Sequence, residues 1–254
     1  MIDVADSKCV DEIRASANFE PRRQGARPEI LLLHYTGMKS AARAIDWLSR
    51  PESRVSSHYV IDEQGRVTQL VAESVRAWHA GVAIWHGETD INSLSIGIEI
   101  HNPGHDDGYP DFPEPQMARL ETLCRDIVHR WRIVPERVLA HSDVAPRRKI
   151  DPGEKFDWAR LHAAGIGHWV PPAPLDAADG GLGAGCVGLD VLEAQQRLAK
   201  FGYGVPLSGA LDDETVIVLT AFQRHFRPAR CDGRLDGSTL DTLRRLTEAA
   251  FVSG

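Results

Sequence analysis

The sequence predicts an α/β domain with a central mixed β-sheet flanked by helices, followed by a small C-terminal three-helix domain. Three observations carry this expectation. Short apolar runs alternate with helical periodicities as far as Trp169, a proline- and glycine-rich break follows, and the last part of the chain repeats itself, Gly209 onward matching Gly233 onward.

The chain's 254 residues suit one larger unit plus a small module, at roughly 100–200 residues per domain. With 43% hydrophobic and 26% charged residues and no apolar run near the ~20 residues that cross a bilayer, the composition excludes a membrane span and bulk disorder. The balance of 29 Lys+Arg against 36 Asp+Glu gives −7, and no local basic stripe offsets it, which excludes a nucleic-acid partner. The opening MIDVADSKCV carries acids early and lacks the apolar segment of a secretory signal, so Cys9 is not expected to be a lipoprotein cysteine.

Residues 1–27 form an N-terminal extension, and the larger domain is expected over residues 28–169. It opens with Ile30-Leu31-Leu32-Leu33, a run short enough for a buried strand. Ser40 can cap a following helix that holds Ile45 and Leu48. Ser57 to Ile61 and Arg66 to Val71, separated by Asp62-Glu63-Gln64-Gly65, read as a hairpin. Ser95 to Ile100 alternates, with three isoleucines on one face and Ser95, Gly97 and Glu99 on the other. Met117, Leu120, Cys124, Ile127 and Trp131 recur at helical steps after Pro115, and Val138-Leu139-Ala140 gives another buried strand.

Residues 170–188 read as a linker, because prolines remove backbone donors and glycines raise unfolded-state entropy. Residues 189–254 form the three-helix domain. Its first helix runs from Leu189 to Phe201 and ends at Gly202-Tyr203-Gly204; the two repeats then each supply a turn glycine, a buried leucine and a capping aspartate, Asp212 and Asp236. Nothing in this module looks catalytic, and with 8 basic and 9 acidic residues it is nearly neutral. Four cysteines without CxxC spacing argue against a disulfide scaffold or a thiolate zinc site, leaving a Cys186–Cys231 bridge as the one pairing to test.

The chemistry gathers at two histidines. His34 and His141 each stand where a buried strand runs out, the place where open α/β sheets put their ligands. If the Pro- and Arg-rich loop after His141 folds back, Asp151 joins them, and two imidazoles with one carboxylate make a catalytic metal set that keeps one position open. The residues alone leave plainer roles open: His34 as a core histidine, Glu99 as a solvated strand residue, Lys149 as one charge in Arg147-Arg148-Lys149, and Asp151-Pro152-Gly153 as a turn.

Five runs in order, LLLHYTG, SSHYVIDEQG, RAWHAG, NSLSIGIEIHN and LAHSDVAPRRKIDPG, resemble the zinc-dependent N-acetylmuramoyl-L-alanine amidases of the AmpD/AmiD type, whose fold is shared with T7-type lysozyme amidases and peptidoglycan recognition proteins. The resemblance spans about Pro28 to Gly165. The C-terminal unit is similar to the peptidoglycan-binding three-helix domain through Leu192-Glu193-Ala194-Gln195-Gln196-Arg197-Leu198, Phe201-Gly202-Tyr203, Thr215, Phe222-Gln223 and Asp232-Gly233.

These resemblances imply a Zn²⁺ cofactor held by His34, His141 and Asp151, with Glu99 and Lys149 on the catalytic acidic and basic positions. Such an ion brings the pKa of its water toward ~7, Glu99 passes the proton to the leaving nitrogen, and Lys149 offsets charge on the carbonyl oxygen. Tyr35, Trp78, His79 and Asn102 are the candidate substrate-binding residues. The position that phage members commonly fill with cysteine is Asp151 here, and Ser57 precedes His58 where they carry tyrosine, which leaves Glu99 as the proton shuttle. The implied reaction is hydrolysis of the amide between N-acetylmuramic acid and L-alanine, on peptidoglycan or anhydromuropeptides, by a monomer whose small module raises local substrate concentration. The competing reading is a non-catalytic recognition module, against which all three ligand positions are filled. Absence of a signal points to the cytoplasm and the binding module to the wall; periplasm or cell wall is the expectation.

Overall fold

The protein is described from a computed structural model, which covers residues 2–250, so the predicted domain end at 254 lies outside the described residues. Among the described residues there are eight strands: β1 (Glu12–Ile13), β2 (Phe19–Glu20), β3 (Ile30–Tyr35), β4 (Tyr59–Ile61), β5 (Val67–Gln69), β6 (Arg76–Ala77), β7 (Ser95–Ile100) and β8 (Val138–Ala140). The helices are α1 (Ala41–Ser49), α2 (Ile91–Leu94), α3 (Glu114–Trp131), α4 (His141–Val144), α5 (Trp158–Ala163), α6 (Leu189–Phe201), α7 (Asp213–Phe226) and α8 (Gly237–Ala250).

Six strands form one mixed sheet in the order β1-β5-β4-β7-β3-β8, in which β4 and β5 are the antiparallel hairpin and β4, β7, β3 and β8 run parallel. The two longest strands pair from Ile30↔Ser95 to Tyr35↔Ile100, so alternate residues of both share a face. One face carries Leu31, Leu33, Ile96, Ile98 and Ile100 and is covered by Met117, Leu120, Cys124 and Ile127 of α3. Each fully buried leucine or isoleucine there contributes about 1.5–3 kcal/mol, so this face anchors the sheet and frees the other for chemistry. Pro115 sits in the first turn of α3, where its missing donor costs nothing, and the helix stops at left-handed Arg132. Trp131, at the end of the predicted stripe, is half-buried and donates its indole N–H to Glu73 Oε2 at 2.6 Å. Ser40 caps α1 by accepting from the Arg43 N–H.

Within the predicted N-terminal extension, β1 adds to the sheet edge beside β5, and β2 pairs with β6 in a two-stranded sheet. The three-helix domain has the expected caps: the Thr215 N–H donates to Asp212 at 2.8 Å and the Thr239 N–H to Asp236 at 2.6 Å. The repeat extends to side chains, since Gln195 accepts from the Gly209 N–H and Gln223 from the Gly233 N–H. Leu182 exchanges backbone bonds with Leu235, and Ala173 bonds Thr242 and Ser238, so the predicted linker lies along the helices. The cores also merge, because Ile30, Leu32, Leu139 and Trp85 pack in one cluster with Phe201, Tyr203, Phe222 and Phe226. All four cysteines are free, so the Cys186–Cys231 bridge does not form.

Candidate metal centre

The second face of the sheet holds the site. The register sets His34 of β3 beside Glu99 of β7, so an imidazole and a carboxylate project side by side. On the opposite flank of β3, β8 runs directly into α4, whose first residue is His141. The loop after α4 does return: the Ser142 N–H donates to the Asp151 carbonyl at 3.0 Å. His34, His141 and Asp151 are thereby buried together.

Their donor atoms converge. His34 Nδ1 lies 2.8 Å from His141 Nδ1, and Asp151 Oδ2 lies 3.0 Å from His141 Nδ1 and 3.3 Å from His34 Nδ1. His141 Nε2 is 3.1 Å from the Ala80 carbonyl, which only accepts, so that nitrogen donates and Nδ1 is the atom turned toward His34 and Asp151. Burial, then His141, lowers the His34 pKa to about 4, so the His34 ring is neutral at neutral pH. Burial would raise the Asp151 pKa, but contact with the His141 and His34 rings lowers it overall and keeps the carboxylate ionised. Two imidazole nitrogens and an anionic oxygen aimed at one point fit a divalent cation.

Outer partners fix the ligands. His34 Nε2 meets His79 Nδ1 at 3.0 Å, His79 Nε2 meets Ser95 Oγ at 3.3 Å, and Ser95 donates to the Ile91 carbonyl at 2.7 Å. Gly97, between Ser95 and Glu99 on this face, makes room for His79: a Cβ there would lie 2.6 Å from the ring. Glu99 is partly enclosed, and its Oε2 is buried with no hydrogen-bond partner. Burial first and then the Asp151 charge push its pKa well up, with Lys149 opposing.

A cavity of about 400 Å³ opens over these groups, lined by Tyr35, Trp78, His79, Glu99, Lys149 and both His141 and Asp151, with Trp47 and Val55 on an apolar wall. The Trp78 indole N–H is buried without a partner. Tyr35, its pKa raised to about 12 by burial, bonds His105 Nδ1 at 3.0 Å, and His105 reaches Glu154 at 3.1 Å. Asn102 is not brought to the cavity. Its amide donates to the Pro110 carbonyl and accepts from the Gly104 N–H, so both ends are spent inside its own loop. Sequence reading missed Gly97, Ser95 and His105; an Ile-Gly-Ile in an alternating strand was the available signal for a close approach.

A family profile described as N-acetylmuramoyl-L-alanine amidase matches residues 24–154, and one described as putative peptidoglycan binding domain matches residues 187–243. The chain is 35% identical over 240 residues to N-acetylmuramoyl-L-alanine amidase AmiD of Escherichia coli, covering 87% of this chain and 84% of that one. It is 38% identical over 165 residues to 1,6-anhydro-N-acetylmuramyl-L-alanine amidase AmpD of Enterobacter cloacae, covering 58% and 86%. Among solved structures, the complex of AmiD from E. coli with the substrate anhydro-N-acetylmuramic acid-L-Ala-D-gamma-Glu-L-Lys aligns at TM-score 0.74 and 35% identity over 91% of this chain and 93% of that one. AmpDh3 from Pseudomonas aeruginosa aligns at TM-score 0.74 over 88% and 92%.

Proposed function

From the premise that this chain belongs to the N-acetylmuramoyl-L-alanine amidase family and hydrolyses the amide between N-acetylmuramic acid and L-alanine, we propose that it does so with zinc held by His34, His141 and Asp151. The observation that carries this reading is the convergence of two imidazole Nδ1 atoms and one ionised carboxylate oxygen within 3.3 Å of one another. That donor set suits a borderline ion such as Zn²⁺, which when bound supplies a Lewis acid able to polarise a carbonyl and acidify water.

The chain's own groups do the rest. Glu99 is the proton carrier: it lines the cavity beside His141 and Asp151, and its buried Oε2 has no internal hydrogen-bond partner among the described residues to hold its proton. Lys149, on the cavity wall, places its ammonium toward the carbonyl oxygen as negative charge grows there. Trp78 and Tyr35, on the cavity lining, orient the muramyl and peptide groups, while Trp47 and Val55 cover apolar parts of the substrate. His79 supports His34 from the cavity wall, and Asn102 shapes the 102–110 loop.

The three-helix domain holds peptidoglycan near the cleft, and the enzyme works as a monomer. The test is digestion of purified sacculi and of soluble anhydromuropeptides with zinc-loaded and chelated protein, read by mass spectrometry. Cleavage at the lactyl–alanine amide, lost on chelation and restored by zinc, is expected. Cleavage that survives full metal removal overturns the zinc assignment.

A further inference from the structure

The junction between the two domains carries a buried polar contact that substrate tethering does not need. Asp143 sits in α4, two residues beyond His141, and its side chain is fully enclosed. Oδ2 accepts from the Ala140 N–H at 2.8 Å, closing the turn that launches His141. The remaining capacity of the carboxylate is filled from the other domain: the Tyr203 hydroxyl donates to Oδ1 at 2.6 Å and His225 Nδ1 donates to Oδ2 at 2.7 Å. Tyr203 and His225 are 3% and 2% exposed, so water does not substitute for either. The His225 ring is stacked between Trp158, at 3.7 Å, and Phe226, at 3.8 Å, which fixes the direction of its N–H.

A second strut reaches the same histidine. The Ala80 carbonyl, acceptor for His141 Nε2, belongs to the 80–86 segment. That segment is tied to α4 by the Ile84 N–H to the Val144 carbonyl at 2.8 Å, and to the small domain by the His86 N–H to the Gly202 carbonyl at 2.8 Å. Trp85 packs edge-on against Tyr203 at 4.9 Å and lies so close to Gly202 that a Cβ there would fall 2.4 Å from the indole. Both supports of His141, its turn and its Nε2 acceptor, are thus braced from α6 and α7.

We propose that Tyr203 and His225 are positioning residues for the metal centre, holding Asp143 so that the three-helix domain fixes His141 in its ligating orientation. This rests on the assignment of His141 as a ligand. The small domain then has a role in hydrolysis even of fragments too short to span both domains.

The test uses full-length Tyr203→Phe, His225→Leu and His225→Asn, the last retaining a donor where Nδ1 stands, beside Asp212→Ala, which weakens a helix cap of the same domain without touching Asp143. Zinc affinity is read on metal-free protein by competition with a chromophoric chelator, ligand geometry by the visible spectrum of the Co²⁺-loaded protein, and turnover on a soluble anhydromuramyl tripeptide. Outer supports of metal ligands are worth 10–100-fold, so Tyr203→Phe and His225→Leu should each weaken zinc about tenfold, shift the Co²⁺ spectrum and lower kcat with little change in KM. His225→Asn should recover much of the loss, and Asp212→Ala should lower Tm with zinc affinity unchanged. Wild-type zinc affinity and Co²⁺ spectrum in both Tyr203→Phe and His225→Leu overturn this inference and leave the zinc reading intact. A wild-type protein that binds neither metal overturns both.

Discussion

Replacing Gly97 with alanine adds one methyl group, and the structure says where it goes. The new Cβ would stand 2.6 Å from two atoms of the His79 ring and 2.8 Å from a third. That is roughly 1 Å inside the 3.5–4.0 Å at which carbons pack, so the ring must move by about that much. It has no free direction that keeps its bonds: Nδ1 is held to His34 at 3.0 Å, Nε2 to Ser95 at 3.3 Å, and the His58 ring lies edge-on with centroids 5.5 Å apart. Overpacking of this kind costs about 1–3 kcal/mol of stability, and a displacement near 1 Å at a reacting constellation costs on the order of 10²-fold in rate. Gly97→Ala should therefore fold with a lowered Tm, weaken zinc about tenfold and lower kcat 10–100-fold. The control is the double variant: once His79→Ala has removed the ring, the three atoms nearest the added methyl are gone and Gly97→Ala should cost little further. Turnover and zinc affinity in Gly97→Ala within threefold of wild type, or additive losses in the double variant, would refute the chain of contacts from Gly97 through His79 to His34.

Glu99→Gln keeps the shape of the cavity and removes the proposed proton carrier, so zinc content should stay stoichiometric while kcat falls by about 10²–10⁴; elemental analysis beside turnover checks both. Asp151→Ala takes one of the three proposed ligands, and the protein should purify with little zinc and lose activity, with a Tm that added zinc no longer raises. In the small domain, Asp212→Ala loses a half-buried cap and should cost about 1 kcal/mol, whereas Asp236→Ala strands the buried Arg227 guanidinium and should cost about 3–5 kcal/mol by urea unfolding. Burial opposes charge on Asp236, but Arg230 and Thr239 outweigh it and lower its pKa. Its contribution is therefore present above the ordinary carboxyl pKa and is lost as pH falls from there through the lowered folded-state pKa, so Asp236→Ala should flatten the acid side of the Tm profile.

What the sequence disclosed follows from periodicity and what it hid follows from distance. His34 and His141 were legible because an apolar run ending in a polar side chain marks a strand's end, and Glu99 because alternation sets it opposite the isoleucines. Asp151 was legible only as a possibility, since its place depends on a loop whose return is held by long-range contacts such as the Ser142 N–H on the Asp151 carbonyl and the Tyr109 hydroxyl on the Pro152 carbonyl. Asn102 stands apart from the cavity lining for a related reason: proximity to Glu99 along the strand says nothing of a loop that turns back and engages the amide locally. The Asp143 contacts join residues 60 and 82 positions apart, and no local pattern announces them. The linker was legible in composition, yet Leu182 and Ala173 show that irregular chain can still be pinned.

That pinning changes what the two halves can do together. A loosely strung binding module would let the cleft roam over every bond within a radius set by its leash, whereas a body with one merged core mounts anchor and blade at a constant separation.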